Sequence, residues 1–249
     1  MKRIFLIMVM SVLSTALSFG QKKYEMVVEK TDGTSSVFNT EEVARIYFRE
    51  RSQGDISCPD ANHPHMIDLG LPSGTKWACC NVGACKSEEY GGYYAWGETE
   101  EKEVYNWSTY IHCDGNEDTC HDLGSDISGT EYDVAHVKWG GDWVMPTAGD
   151  IKELLDHCKS EWTTLNGVKG RKFTGSNGNS IFLPAAGYRW GGDLYGTGSS
   201  GYYRSSTQYS SYSNRAYYLD FYSISAYWNH YYRCGGLSVR PVVRNEVHP

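Results

Sequence analysis

The residues best suited to chemistry are concentrated near the carboxyl end. Twelve of the 20 Tyr, together with nine Ser, lie between Tyr188 and Tyr232. Tyrosine offers a large, rigid ring with a polar tip and little rotamer entropy to lose; Ser and Gly let the backbone adapt to a partner. That vocabulary suits recognition better than bond-making. Tyr217, Leu219 and Phe221 alternate along one strand and read as core. Tyr209, Tyr212, Asn214, Arg215, Tyr222, Tyr227, Asn229 and Tyr231 fall in polar, loop-like or outward-facing contexts and are the candidate binding residues. Trp190 and Tyr195 join them from a neighbouring Gly-rich loop. Exposed aromatic rings stack on sugars as well as on proteins, so a glycan or a cell-surface protein is the expected ligand.

Other chemical patterns are weaker. His112-Cys113 and Cys120-His121 read His-Cys-x6-Cys-His, which suggests zinc, but the Cys spacing is wider than in zinc knuckles. In an oxidising compartment Cys113 and Cys120 read as a local disulfide. Cys80 and Cys158 are small-hydrophobe candidates that could also pair. Asp114, Glu117, Asp118, Asp122 and Asp126 do not follow EF-hand spacing and read as a solvated acidic loop. Gly196 to Gly201 fits Gly-x-Gly-x-x-Gly, but no helix follows it. Ser73-Gly74-Thr75-Lys76 fits Ser-x-x-Lys and sits in a Pro-led turn without the companion motifs of acyl enzymes. No Ser/His/Asp set has recognisable geometry. The reading is no catalytic residue, no metal and no cofactor.

The elements that hold these residues are mostly strands. Residues 66–244 carry short strands, many glycines and two helix candidates. One is Tyr132 to Lys138, with Asp133 near its start. The other opens at Thr147, where Asp150 completes a capping box and Ile151, Leu154, Leu155 and Cys158 share a face. Trp77, Trp96, Trp139 and Trp143 read as core anchors. Helices in the middle with strands around them predict an α+β fold.

The amino end reads differently. Met1 to Gly20 has a basic start, an apolar run and small residues near Gln21, as in a cleavable signal peptide too short to span a bilayer. Residues 21–50 read as a small β-rich ββαβ segment: strands from Tyr24 to Glu29 and Ser35 to Phe38, then a short helix capped by Asn39. Residues 51–65 read as a linker and 245–249 as a tail. The whole chain has 249 residues and net charge −7, without a Lys/Arg cluster. Nucleic-acid binding through phosphate neutralisation is therefore not expected, nor is a membrane span. The expected setting is export, to the medium, the periplasm or the cell surface.

An ordered series of segments carries a resemblance. It runs from Asp68-Leu69-Gly70-Leu71-Pro72-Ser73-Gly74-Thr75-Lys76-Trp77-Ala78 through Gly91-Gly92-Tyr93-Tyr94-Ala95-Trp96-Gly97-Glu98 and Trp139-Gly140-Gly141-Asp142-Trp143-Val144-Met145-Pro146-Thr147. It continues with Leu183-Pro184-Ala185-Ala186-Gly187-Tyr188-Arg189, Ser205-Ser206-Thr207 and Ser238-Val239-Arg240-Pro241-Val242. Over residues 66–244 the chain resembles the Fibrobacter succinogenes major paralogous domain proteins of Bacteroidetes. That family is similar to formylglycine-generating-enzyme-like and retroelement variable proteins. The resemblance implies a C-type-lectin-like fold, a mixed and mainly antiparallel sheet with two helices and long loops. It also implies a ligand face on the final strands, corresponding to Tyr188–Arg233. Arg204 stands where Trp is usual before Ser205, and Val144 where Arg is usual before Met145. The calcium-lectin Glu-Pro-Asn and Trp-Asn-Asp motifs and a counterpart of the catalytic cysteine pair are missing. The expected function is thus non-catalytic, lectin-like binding. The alternatives are a metal- or cysteine-dependent oxidase on the same fold, or a structural adhesion protein.

Overall fold

The computed structural model describes residues 25–29, 35–39 and 66–244. The chain divides into two compact units, 1–52 and 53–249. In the first, β1 (Glu25–Glu29) and β2 (Ser35–Asn39) pair as an antiparallel hairpin, with Val27 opposite Val37. The signal peptide, the helix expected after Asn39, the linker and the tail lie outside the described residues.

Over its described residues the second unit is α+β, with small antiparallel sheets and two helices. Its first strands, β3 (Met66–Asp68) and β4 (Lys76–Ala78), form a sheet with the last strand, so the two ends of the unit are stitched together. Helix α1 (Val134–Trp139) starts where the sequence places Asp133. That carboxylate accepts backbone N–H groups from Ala135, His136, Gly129 and Met145. Burial pushes the Asp133 pKa up, and those backbone donors pull against it. Helix α2 (Ala148–His157) has the expected capping box between Thr147 and Asp150, and it buries Ile151 and Leu154.

After α2 the chain is almost all strand. β5 (Lys159–Leu165), β6 (Val168–Thr174) and β7 (Ser180–Pro184) form one meander. The hairpin of β8 (Tyr188–Trp190) and β9 (Asp193–Tyr195) follows. Then come β10 (Gly201–Gln208), β11 (Arg215–Phe221) and β12 (Ala226–Tyr232), which make the sheet that matters for function. β13 (Val242–Val243) closes the unit on β4. The segment Gly196–Gly201 is the turn into β10, with Ser199 and Ser200 N–H donating to the Gly196 carbonyl. Gly201 begins β10 opposite Phe221; a Cβ there would collide with the Phe221 ring.

One face of the β10–β12 sheet supplies core. Tyr203, Leu219 and Phe221 pack in one cluster with Ile151 and Leu154 of α2, Trp77 and Leu183. A second cluster gathers around Trp96, Ile127, Met145 and Val239. Of the four expected Trp anchors, Trp77 and Trp96 are fully buried; Trp139 and Trp143 are only partly buried and pack edge to face at 5.3 Å. Among the described residues, Arg204, Arg233 and Arg240 are also fully buried. Arg240 donates to Asn81 Oδ1, Ala78 O and Phe182 O at 2.8–3.1 Å. Among the described residues no helix is long and apolar enough to cross a membrane.

Candidate functional site

The candidate site is built on the other face of the same sheet. Strand alternation puts Tyr218 and Asp220 of β11 on the side away from Leu219 and Phe221. Across the ladders, Tyr202 stands opposite Asp220 on one side and Tyr227 on the other, while Asn229 faces Tyr218 and Tyr231 faces Ala216. Directly opposed residues of antiparallel strands share a face. Tyr222, just past β11, holds its hydroxyl 2.8 Å from that of Tyr202, so it lies on this side too.

The rings form a continuous array. Tyr188 packs on Tyr195, Tyr202 and Tyr231 at centroid separations of 5.6, 4.8 and 5.8 Å. Tyr202 stacks on Tyr218 at 5.6 Å, and Tyr218 meets Tyr231 at 6.1 Å. Trp190 adds contacts to Tyr231 and Tyr232 at 5.9 and 5.8 Å. The centre of the array is buried, with Tyr218 at 4% exposure, whereas Tyr195, Tyr222 and Tyr227 at its rim are 43%, 39% and 55% exposed. Burial raises the pKa of Tyr202 and Tyr218, and pushes that of Tyr231 up to about 12. These phenols stay neutral at physiological pH and act as hydrogen-bonding groups on an apolar body.

Asp220 sits inside this array at 6% exposure, and its Oδ1 has no hydrogen-bond partner. Burial pushes its pKa up to about 6, with the Tyr222 and Tyr218 hydroxyls pulling the other way.

The structure places the residues named from sequence in two groups that meet at Tyr232, whose ring both Trp190 and Arg215 contact. Trp190, Tyr195, Tyr222, Tyr227, Asn229 and Tyr231 belong to the array just described. Tyr209, Tyr212 and Arg215 form a second cluster beyond the core end of the opposite face. There Tyr209 stacks on His230 at 3.9 Å and on Tyr212 at 6.0 Å. Arg215 lies over the Tyr232 and Tyr212 rings at 4.8 and 5.3 Å, and its Nη1 is 3.3 Å from His230 Nδ1. Asn214 is half-buried, and its carbonyl receives the Arg233 N–H.

Tyr217 was expected in the core with Leu219 and Phe221. It is instead only partly buried in this second cluster, against Trp228 and Tyr209 at 5.1 and 5.3 Å. Trp228, His230, Tyr188, Tyr202, Tyr218 and Asp220, inside the expected Tyr188–Arg233 face but not among its individually named candidates, also belong to these clusters. The pattern Tyr218-x-Asp220-x-Tyr222 on the outward parity of β11 was the available signal.

Buried arginines hold the second cluster's loop in place. Arg233 donates from Nε to the Tyr110 hydroxyl and from Nη1 to the carbonyls of His121 and Ser213, and its guanidinium lies 4.3 Å from the Trp96 ring. Arg204, in the position where Trp was expected, donates to the Tyr232 and Gly235 carbonyls. The loop that carries His121 is closed by the Cys113–Cys120 disulfide. His112 and His121 do not converge on it: His112 Nε2 meets the Gly97 carbonyl, and His121 Nε2 meets Asp114. Cys158 is a free thiol and is not paired with Cys80.

A cleft of about 380 Å³ lies elsewhere, lined by Glu98, Glu100, Glu101, Glu131, His112 and Tyr132 among others. Three of its four carboxylates already have partners. Glu98 accepts from Lys102 Nζ and Ile111 N, Glu101 from Tyr93 N, and Glu100 pairs with Lys138.

A family model described as a domain of unknown function (DUF8237) matches residues 153–242. The matched segment runs from within α2 to the start of β13 and contains the whole tyrosine array. No curated protein and no solved structure matches the chain.

Proposed function

We propose that residues 66–244 are a C-type-lectin-like binding domain of an exported protein, of the major paralogous domain type. It recognises a glycan or surface protein through its tyrosine array without catalysis. The observation that carries this reading is the continuity of Tyr195, Tyr188, Tyr202, Tyr218 and Tyr231 through ring contacts of 4.8–6.1 Å on one sheet face. Rings already fixed by their neighbours have little ordering entropy left to lose when a ligand docks. Hydroxyls at the rim supply the polar contacts that give orientation. Burial pushes the Cys158 pKa up to about 11 and that of Cys234 up to about 12, which disfavours thiolate chemistry at those two positions.

The test is a parallel screen of glycans and surface proteins with wild type and Tyr222→Ala/Tyr227→Ala. A ligand held by wild type and lost by the variant, at unchanged melting temperature, supports the reading. A ligand held equally by both contradicts it.

A further inference from the structure

Asp220 occupies an unusual position for a carboxylate. The four nearest positions on its sheet face are all tyrosine: Tyr202 and Tyr227 across the two ladders, Tyr218 and Tyr222 two residues before and after it. Among the described residues no Lys, Arg or His lies within ion-pair distance of it. Arg171 comes to this end of the sheet but directs Nη1 to the Tyr222 carbonyl and Nε to Ser160 Oγ. A buried carboxylate without a counter-ion, one oxygen lacking any hydrogen-bond partner, is unfavourable unless something compensates it. Its surroundings discriminate between possible partners. Its own negative charge attracts a cation and repels an anion, and the exposed Tyr222 and Tyr227 rings flank it.

From this juxtaposition we propose that Asp220, with Tyr202, Tyr218, Tyr222 and Tyr227, receives the side-chain ammonium of a lysine on a protein partner. This rests on the tyrosine array being the docking face and names what that face takes. The depth of the carboxylate favours lysine. Asp220 is only 6% exposed, so the incoming charge must travel on a slender stem. A lysine chain does this, with its methylenes along the exposed rings of Tyr222 and Tyr227. An amine attached directly to a sugar ring is too short. The net charge of −7 suits a basic partner.

The experiment titrates the purified protein with Nα-acetyl-lysine methylamide and, separately, with its Nε-acetylated, neutral analogue, following the tyrosine ring protons by NMR. The charged probe is expected to bind saturably and at least about tenfold more tightly than the neutral one. It should shift the Tyr222 and Tyr227 resonances and lose a similar factor on Asp220→Asn. Equal affinity for the two probes, no response to the charged probe, or an unchanged affinity in Asp220→Asn would each overturn the proposal. Glucosamine binding more tightly than the lysine probe would replace lysine by an amino sugar and also overturn it. Should Asp220→Asn fail to fold, the comparison of charged and neutral probes on wild type decides alone.

The proposal and the docking-face reading fail separately. A screened partner that binds Asp220→Asn as well as wild type but not Tyr222→Ala/Tyr227→Ala removes the lysine site and leaves the face. A partner indifferent to both variants removes the face as well.

Discussion

Asp220 and Tyr202 stand directly opposite each other across the β10–β11 ladder, a carboxylate facing a phenol on a sheet face that holds it nearly out of water. Tyr218, Tyr222 and Tyr227 occupy the neighbouring positions on that face.

The first consequence is a pH dependence of stability. The Asp220 pKa is raised from 3.8 to about 6 in the folded chain. The folded state therefore holds this proton more tightly than the unfolded state does. Its contribution to stability is fully present below the unfolded pKa and is lost as pH rises through about 6. Wild type is expected to lose on the order of 1–2 kcal/mol between those limits, allowing for screening at the rim. Asp220→Asn should lack that component. Urea denaturation of both proteins across the interval checks this; parallel pH profiles would count against the burial of a charge-sensitive Asp220.

The two aromatic clusters meet at Tyr232, but their exposed rims can be tested apart. Tyr222→Ala/Tyr227→Ala removes two exposed rings from the array, and Tyr212→Ala/Trp228→Ala does the same in the second cluster. Exposed substitutions of this kind usually change stability by about 0.5 kcal/mol or less. Only the first pair should abolish ligand binding; calorimetric titration of a screened ligand against both variants shows which cluster carries it.

The tryptophans divide by burial. Trp96→Ala should cost about 3–5 kcal/mol, as for a fully buried aromatic side chain. Trp143→Ala should cost about 1–2 kcal/mol, because water already reaches part of its ring. Chemical denaturation of the two variants side by side tests the ordering, and equal losses would contradict it.

The Cys113–Cys120 bond closes a loop with a sequence separation of 7. Its reduction should lower stability by about 2 kcal/mol on the chain-entropy account. Melting curves with and without a thiol reductant, together with the Cys113→Ser/Cys120→Ser variant, measure it.

Much of the frame was legible from local rules. Thr147 with Asp150, and Asp133 ahead of an apolar run, are capping signals whose physics lies within one helical turn, and both helices form there. The α+β class and the Cys113–Cys120 pairing also follow from short-range patterns.

The site was only half legible, because alternation gives a residue's side of the strand but not what covers that side. Tyr217 shares parity with Leu219 and Phe221, yet it is not part of the cluster that α2 packs into and remains only partly buried. Tyr218 and Asp220 have outward parity, yet tyrosines from neighbouring strands bury them. The division of the binding candidates between two faces depends on register across β10, β11 and β12. No single strand's sequence contains that register.

The central claim is that the tyrosine array is a docking surface and not merely packing. The most direct measurement is binding of a screened glycan or surface protein to wild type and to Tyr222→Ala/Tyr227→Ala, with melting temperatures recorded on the same samples. The account predicts binding to wild type, loss of binding in the variant and coincident melting curves. Undiminished binding by the variant, or a loss of binding that only accompanies unfolding, would contradict it.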